Sequence, residues 1–255
     1  MAKPLILVTN DDGITAPGIR ELISIMNELG DVYVVAPNKT QSGMGHAVTI
    51  NATLHLEKVT IGDGEQQEWS CSGTPVDCVK LAIDQILPKK PDLCVSGINH
   101  GSNSSINVLY SGTMSAAMEA GIEGVPSIGF SLCDYTYSAD FRQARRFIKS
   151  IAENVLKKGL PKGIVLNVNI PAAAEKEIKG IQIARQANAF WAEEFDRRTD
   201  PRGRTYYWMT GKWVVPDDAN DTDEWALDHN YISVVPVTFD LTAYHFLKEL
   251  KKWEF

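Results

Sequence analysis

A strand–helix–strand pattern near the N-terminus constrains the fold more than any other feature of this 255-residue sequence. Residues 4–9 form a continuous apolar run, which is typical of a strand buried on both faces of a parallel sheet. Residues 17–29 carry apolar side chains at helical spacing and are followed by Gly30, a common helix stop. Residues 32–36 form a second apolar strand. Because two strands joined by a helix form a βαβ unit, we predict an α/β fold.

The same alternation continues beyond this unit. We predict further strands and helices over residues 46–59, 67–71, 74–87, 92–96, 113–120, 127–132, 139–158 and 164–168. The start of the helix over 74–87 is interpreted as a cap, with Thr74 before the helix, Pro75 in its first turn and Asp77 facing back. Residues 1–180 are therefore predicted to form a doubly wound, mostly parallel core.

Residues 181–255 show a different pattern. Segment 190–213 mixes aromatic and arginine residues, and segment 217–224 is acidic and turn-like. A strand over 231–237 and a helix over 244–253 follow. We predict an extension made of a hairpin and a C-terminal tail, packed on the core or on a second subunit, rather than an independent domain.

Charge and apolar content limit the classes of partner. The net charge is −7, so the chain repels a polyanion and no nucleic acid polymer is expected as a partner. The apolar runs are too short to cross a bilayer, and the N-terminus lacks the pattern of a signal peptide. We therefore expect a cytoplasmic protein that does not enter the membrane.

The cysteine pattern agrees with that location. None of the four cysteines forms a C-x-x-C pair, and each lies in an apolar segment: Cys71, Cys78, Cys94 and Cys133. Buried free thiols in a reducing compartment are the favoured interpretation, ahead of a zinc site or disulfides.

Two adjacent acidic residues follow the first strand, in Asn10-Asp11-Asp12-Gly13. At about 4 Å their repulsion costs about 1 kcal/mol in water and about 4 kcal/mol at an effective dielectric constant of about 20. A divalent cation removes that repulsion, and oxygen ligands of this kind suit Mg²⁺ or Mn²⁺. Taken alone, the cluster is as well explained by a turn that precedes the next helix.

Further polar clusters follow other predicted strands, and ligands bind outside the carboxyl ends of strands in such sheets. Ser42, in the loop after the second strand, offers a hydroxyl oxygen. Segment 96–103 offers the Asn99 carbonyl oxygen to a metal and the Asn103 amide to a phosphate, while His100 is as well explained as a surface residue. Ser111-Gly112-Thr113 opens a helix, whose unpaired N–H groups favour an anion.

These residues, in this order, resemble the SurE (survival protein E) family of metal-dependent nucleotidases over nearly the whole chain. The segments that carry the resemblance are Asn10–Gly13 with Ala16–Gly18, Ala36-Pro37, Gln41–Gly43, Ser72–Val79, Ser96–Asn99 with Gly101 and Asn103, Tyr110–Thr113 with Ala116, Ala117 and Glu119, Asp200–Arg204, Tyr206–Trp208, Thr222-Asp223 and Tyr231–Ser233. Three sites depart from the family pattern. Ser104-Ser105 stands where Leu-Gly is usual, Asn107 where an acidic residue is common, and Asn230 where glycine is usual.

The resemblance implies a Rossmann-like core and hydrolysis of nucleoside 5′- and 3′-monophosphates, with short-chain polyphosphate as a substrate of some members. It implies metal ligation by Asp11, Asp12, Ser42 and Asn99. It also implies homodimers or homotetramers whose C-terminal segments exchange between subunits.

Our hypothesis is that one Mg²⁺ or Mn²⁺ per subunit, held by those four residues, activates a water that attacks the phosphate of a nucleotide. The catalytic residues are then Asp11, Asp12 and Asn103. Substrate binding is assigned to a set of five residues: Asn99, Asn103, Ser111, Gly112 and Thr113. The aromatic side chains of 190–213 would stack on the base, or pack within the extension or at a subunit interface.

Several alternatives stay open at this stage. A phosphatase that forms a phosphoaspartate needs Asp-x-Asp after the first strand, and here the two acids are adjacent. A phosphoacceptor receiver module would be about half as long, and a nucleotide-binding protein without turnover would need the same site. The chain contains neither G-x-S-x-G nor G-x-x-x-x-G-K-[ST], which argues against a serine hydrolase and a P-loop enzyme.

Overall fold

The computed structural model describes residues 3–136 and 138–254. Its strands are β1 Leu5–Thr9, β2 Asp31–Pro37, β3 Leu56–Val59, β4 Gln67–Cys71, β5 Leu93–His100, β6 Ser127–Leu132, β7 Ile164–Ile170, β8 Gly180–Ile183, β9 Phe190–Thr199, β10 Thr205–Val214 and β11 Tyr231–Thr238. Its α-helices are α1 Pro17–Met26, α2 Pro75–Leu81, α3 Gly112–Ile122, α4 Arg145–Lys158, α5 Asp223–Asp228 and α6 Tyr244–Leu250. Short turns of other helix types lie at Ala82–Ile86, Ser105–Leu109, Phe141–Ala144 and Glu175–Glu177.

A nine-stranded sheet organises the described residues, in the order β3-β4-β2-β1-β5-β6-β7-β11-β8. The six strands from β4 to β7 in this order, which are β4, β2, β1, β5, β6 and β7, run parallel to one another. Strand β3 pairs antiparallel with β4, and β11 pairs antiparallel with β7. The strand order reverses at β1, because the chain continues to β2 on one side and later to β5 on the other. Such a reversal opens a crevice beyond the carboxyl ends of the strands.

Helices cover both faces of this sheet. Ile6 and Val8 of β1 point to one face, where they join a hydrophobic core with α1 and α4. Leu7 points to the other face and packs with residues of α2 and α3. Apolar residues on both faces of β1 explain its continuous apolar sequence, since every side chain of the strand is buried. The prediction of a doubly wound, mostly parallel α/β sheet is therefore confirmed.

Helix α1 approaches the end of β5 very closely. A methyl group at Gly18 would lie 2.0 Å from the carbonyl oxygen of Ile98, so only glycine allows this contact. The contact fixes the segment between β1 and α1 against β5. It therefore positions the acidic cluster that follows β1 relative to the polar end of β5.

Three element boundaries differ from the sequence-based predictions. Of the strand predicted over 46–59, only Leu56–Val59 is a strand. The residues before it are bonded to the start of α2 instead: the amide and the hydroxyl of Thr49 both donate to the Asp77 carboxylate. The helix predicted over 139–158 begins as a 3₁₀ turn, with Asp140 accepting from the Arg142 amide, and becomes α-helical at Arg145. Strand β5 runs beyond Ser96, so Asn99 and His100 lie on a strand with an irregular register rather than in a loop.

The region beyond residue 180 contributes to the main sheet. Strands β8 and β11 form one edge of it. The main sheet therefore includes residues on both sides of the predicted boundary at residue 180. Strands β9 and β10 form a separate two-stranded hairpin. All four cysteines are free, as predicted, and Cys133 is the one that is not fully buried. In the parts of the chain that the structure describes, no helix has the length and apolar character needed to cross a bilayer.

Candidate active site

The adjacent carboxylates Asp11 and Asp12 lie just beyond the end of β1. Asp11 is only 3 % exposed, and its Oδ1 accepts a short hydrogen bond from the Thr113 hydroxyl. Asp12 is half-buried, and its Oδ2 accepts from the His100 amide at 3.1 Å. No described residue donates a hydrogen bond to Oδ1 of Asp12. The pair therefore keeps acceptor capacity that the surrounding protein does not use.

Burial disfavours the ionised form of both acidic side chains. Burial raises the pKa of Asp11 to about 6; the hydrogen bond from Thr113 opposes this shift and the charge of Asp12 adds to it. Burial also raises the pKa of Asp12, against the opposing influence of the His100 amide and side chain. A cation between the two groups would offset both the desolvation and the mutual repulsion.

Asn99 completes a group of converging oxygens. The Thr113 hydroxyl lies 3.3 Å from Oδ1 of Asn99 while it also contacts Oδ1 of Asp11. The Asn99 amide donates to the Gly101 carbonyl at 2.8 Å, which orients the carbonyl end of the side chain towards Thr113. The irregular register of β5 before Asn99 turns the strand end into this position. Strands β1 and β5 and helix α3 therefore each supply one member of the group.

The start of α3 packs directly against Asp11. A methyl group at Gly112 would lie 2.7 Å from Cβ of Asp11 and 2.9 Å from its Oδ2. Ser111 caps the helix by accepting from the Met114 amide at 3.0 Å. Amide groups in the first turn of an α-helix favour an anion. The structure thus brings the expected cation ligands and the expected anion-binding segment to the same place.

Ser42 lies in a loop at the same edge of the sheet, and among the described residues no hydrogen bond joins it to the carboxylates. Its neighbour Gln41 donates a backbone hydrogen bond to the Asp11 carbonyl at 2.7 Å, and the Thr40 hydroxyl donates to the Asp12 carbonyl at 3.2 Å. Ser42 itself is exposed and bonds to neither acidic side chain. The loop after β2 is therefore attached beside the acidic pair, with the Ser42 hydroxyl free for a further ligand.

Asn103 is hydrogen-bonded to residues outside this group. Its side-chain amide donates to the Ser131 hydroxyl at 2.8 Å, and the side chain is buried. Its backbone is held by Asn167 and Asn169 of β7. No described hydrogen bond joins Asn103 to Asp11, Asp12 or Asn99.

Two contributors were missed by sequence reasoning. The sequence left His100 open between a surface residue and a catalytic one. The structure places it exposed, with its backbone amide donating to Asp12 and its ring bonded to the Thr136 carbonyl at 2.8 Å. His46 bonds to Glu119 of α3 at 2.7 Å, which anchors the loop that carries Ser42. The position of His100 directly after Asn99 was the available signal for the first. The second had no local signal, because 73 residues separate the partners.

The donor set fits a hard divalent ion. The ligands on offer are carboxylate, amide and hydroxyl oxygens, which Mg²⁺ and Mn²⁺ prefer and zinc does not. Over residues 3–136 and 138–254, no group of three or more His, Cys, Asp or Glu side chains is arranged so that it could hold a metal ion. A cation bound by Asp11 and Asp12 would therefore depend on neutral oxygens such as those of Asn99 and Ser42.

Comparison with known proteins agrees with this geometry. A protein named 5'-nucleotidase SurE from Christiangramia forsetii is 69% identical over 98% of this chain and 97% of its own length. A protein of the same name from Flavobacterium psychrophilum is 63% identical over 100% of this chain and 99% of its own length. The crystal structure of the SurE protein from Aquifex aeolicus, 39% identical, superposes with a TM-score of 0.85 over 98% of this chain and 99% of that one. Because the family model described as survival protein SurE also matches residues 6–193, the chain belongs to the SurE family.

Proposed function

We infer that this chain is a 5′-nucleotidase, an enzyme that hydrolyses nucleoside monophosphates to nucleosides and phosphate. The observation that carries this conclusion is the convergence of Asp11, Asn99 and Thr113 beside the start of α3, at the reversal of strand order. Two relatives that are 69% and 63% identical to this chain, over nearly its whole length, are named for this activity. The geometry of the site and the names of the relatives therefore point to the same activity.

The proposed metal site consists of Asp11, Asp12, Ser42 and Asn99 and holds one Mg²⁺ or Mn²⁺ per subunit. When bound, the ion supplies positive charge to the phosphate oxygens and activates the attacking water. The raised pKa values of both acids support this site, because each carboxylate is unfavourable without a cation. The unused Oδ1 of Asp12 is suited to accept a hydrogen bond from the attacking water and to orient it.

The proposed phosphate site is the first turn of α3. The amides of Gly112 and Thr113 and the hydroxyl of Ser111 would bind phosphoryl oxygens as negative charge develops on them. Support comes from the contact between Gly112 and Asp11, which puts the helix start next to the metal ligands. Asn103 is proposed as an additional donor, since its side-chain NH₂ has two N–H groups and the bond to Ser131 uses one of them.

Removal of divalent ions is expected to lower phosphate release at least about 100-fold, since the ion contributes several kcal/mol to the transition state. The measurement is phosphate release from nucleoside 5′-monophosphates before and after chelation, with Mg²⁺ and Mn²⁺ then added back singly. The same panel includes nucleoside 3′-monophosphates and short-chain polyphosphate, which we propose as further substrates. A full rate after chelation would contradict the metal site. Nucleotide binding without release under any metal would contradict the enzymatic function.

We also propose that the chain assembles into a homodimer or homotetramer through the hairpin and tail, which exchange between subunits. In the register of β9 and β10, Trp191 pairs with Trp213 and Phe195 with Met209, so two large apolar pairs lie on one face of the hairpin, with Glu193 and Arg197 on the same face. Phe195 is 66% exposed and Met209 71% exposed. Exposed apolar patches of this kind are typical of protein interfaces.

Replacement of both Phe195 and Met209 by Glu is expected to reduce the mass in solution to that of a single 28.2 kDa chain. The measurement is light scattering after size exclusion. Trp208→Glu, on the opposite face of the hairpin, is the control and is expected to keep the wild-type mass. A wild-type mass of one chain would contradict the assembly. The proposed location of the assembly is the cytoplasm, which the buried free thiols support.

A further inference from the structure

We propose that Asp223 is a positioning residue for the active site, acting through the β5–α3 connection, which we define as residues 101–111. The proposal rests on the function inferred above and assigns a catalytic consequence to a residue far from it in sequence. Asp223 is the first residue of α5 and is fully buried. It contacts neither the metal ligands nor the start of α3, so its influence has to pass through the chain that it holds.

Both carboxylate oxygens of Asp223 accept backbone hydrogen bonds. Oδ2 accepts from the Ser105 amide at 2.8 Å, and Oδ1 accepts from the Ala187 amide at 2.8 Å and from the Glu224 amide at 2.9 Å. A single carboxylate thus joins three chain segments: the β5–α3 connection, the residues that lead into β9, and α5. Burial raises the pKa of Asp223, and the amides of Ser105, Ala187 and Glu224 oppose that shift.

Ser105 is held in a conformation that its neighbours have to support. Its φ of 51° lies in the left-handed region, which is unfavourable for a residue with a side chain. Its buried hydroxyl donates to the Ala187 carbonyl at 2.8 Å and accepts from the Ala189 amide at 3.1 Å. These bonds, together with the bond from its amide to Asp223, keep the connection bent at this position.

Neighbouring positions of the connection are attached to the same region. The Ser104 hydroxyl donates to Glu224, whose other oxygen accepts from the Trp213 indole at 3.0 Å. The Trp191 indole donates to Asn107 at 3.2 Å. The middle of the connection is therefore fixed by residues of α5 and of the hairpin, and Asp223 is the buried centre of these contacts.

Proposed active-site residues flank both ends of the connection. Asn99 precedes it and bonds to its first residue, Gly101, while Thr113 follows it and contacts Asp11. At most six residues of the connection lie on either side of Ser105. A displacement of Ser105 would therefore reach both ends. Because misplacement of reacting groups by about 1 Å costs about 10²-fold in rate, the anchor at Asp223 matters for turnover.

The test is Asp223→Asn, which keeps the shape of the side chain but replaces one acceptor oxygen by a donor that faces an N–H group. We expect kcat for phosphate release to fall about tenfold or more, with KM for the nucleotide within about threefold of wild type. We also expect weaker Mn²⁺ binding by calorimetry, because Asn99 is displaced. Rates are measured well below the unfolding temperature of each variant.

Asp217→Asn is the matched control. Asp217 lies in the same region and bonds to Arg185 and to the Asn188 amide, but it has no bond to the β5–α3 connection. We expect this control to unfold at a lower temperature while kcat and Mn²⁺ affinity stay within about twofold of wild type. A loss of kcat in Asp217→Asn equal to that in Asp223→Asn would show general destabilisation and overturn the proposal.

The proposal is also overturned if Asp223→Asn keeps wild-type kcat and Mn²⁺ affinity. Should that variant not fold, Ser104→Ala decides, since it removes the bond of the connection to Glu224 along with the bond between the Ser104 and Ser102 hydroxyls. A kcat reduced about threefold at wild-type thermal stability supports the proposal, and an unchanged kcat overturns it. Failure of the inferred function can be told apart from failure of this proposal. If the function is wrong, the wild-type protein releases no phosphate, and the effect of each substitution on the site is still measured by its Mn²⁺ affinity.

Discussion

Asp11→Asn is expected to lower phosphate release from nucleoside 5′-monophosphates at least about 10³-fold. The substitution keeps the shape of the side chain but removes the anionic charge that a divalent ion requires. It also exchanges one oxygen for a donor, beside the Thr113 hydroxyl and Gly112. Steady-state rates at saturating Mn²⁺ measure the effect. Activity within tenfold of wild type would show that Asp11 is not a metal ligand.

The same variant has an expected effect on the metal-free protein. Because burial raises the pKa of Asp11 to about 6, its ionised form is less favourable in the folded than in the unfolded chain. Metal-free Asp11→Asn should therefore be more stable than wild type at pH 7, on the order of 1–3 kcal/mol. The gain should shrink as the pH falls below about 6, where wild-type Asp11 binds a proton in the folded state.

Denaturant unfolding of chelated protein measures this gain, and thermal unfolding with added Mn²⁺ measures ligation directly. At a metal concentration about 100 times Kd, binding stabilises the wild-type protein by about 2.7 kcal/mol. Asp11→Asn should show little of that increase. The control is Asp63→Asn, an exposed acid in the turn between β3 and β4, which should keep both the activity and the metal-induced stabilisation.

Gly112→Ala is expected to lower phosphate release about 10²-fold, the second largest effect of a single substitution. The added methyl group would lie 2.7 Å from Cβ of Asp11 and 2.9 Å from its Oδ2, so Asp11 or the start of α3 has to move. Either movement separates the metal ligand from the anion-binding amides. The measurement is kcat/KM for a nucleoside monophosphate, together with Mn²⁺ affinity.

The same helix provides the matched control for this prediction. A methyl group at Gly121 would lie 2.7 Å from Cγ2 of Val165, so Gly121→Ala creates an equally close contact in the core, away from Asp11. Gly121→Ala should lower thermal stability and leave kcat/KM within about threefold of wild type. Equal losses of activity in the two variants would mean that the clash, not its place beside Asp11, is responsible.

The part of the site that depends on parallel-strand geometry could be predicted from the sequence. Polar residues directly after apolar strands have to meet if the strands are parallel neighbours, and Thr9 of β1 pairs with Ser96 of β5 in the sheet. Asp11, Asn99 and the start of α3 come together for this reason. Ser42 was placed at the correct edge by the same argument, because its loop follows β2.

Side-chain direction inside the irregular segments could not be predicted. The sequence predicted Asn103 as a phosphate donor, and it did not predict that the asparagines of β7 bond to its backbone or that Ser131 accepts from its side-chain amide. Those partners lie 28 to 66 residues away in sequence, so no local sequence pattern predicts them. The continuation of β5 to His100 was missed for a related reason, since Gly and Asn usually end strands and pairing with β6 prevails here.

The hydrogen bond between Ser105 and Asp223 spans 118 positions of the chain. A ribosome releases the acidic pair, Asn99 and Thr113 long before residue 223, and contacts between distant positions form late in folding. The nascent polypeptide therefore carries the residues that we propose as ligands for the ion before the anchor of the β5–α3 connection forms. On the proposal for Asp223, a chain that ends before α5 is expected to keep these ligands but to lack the contact that positions them for turnover.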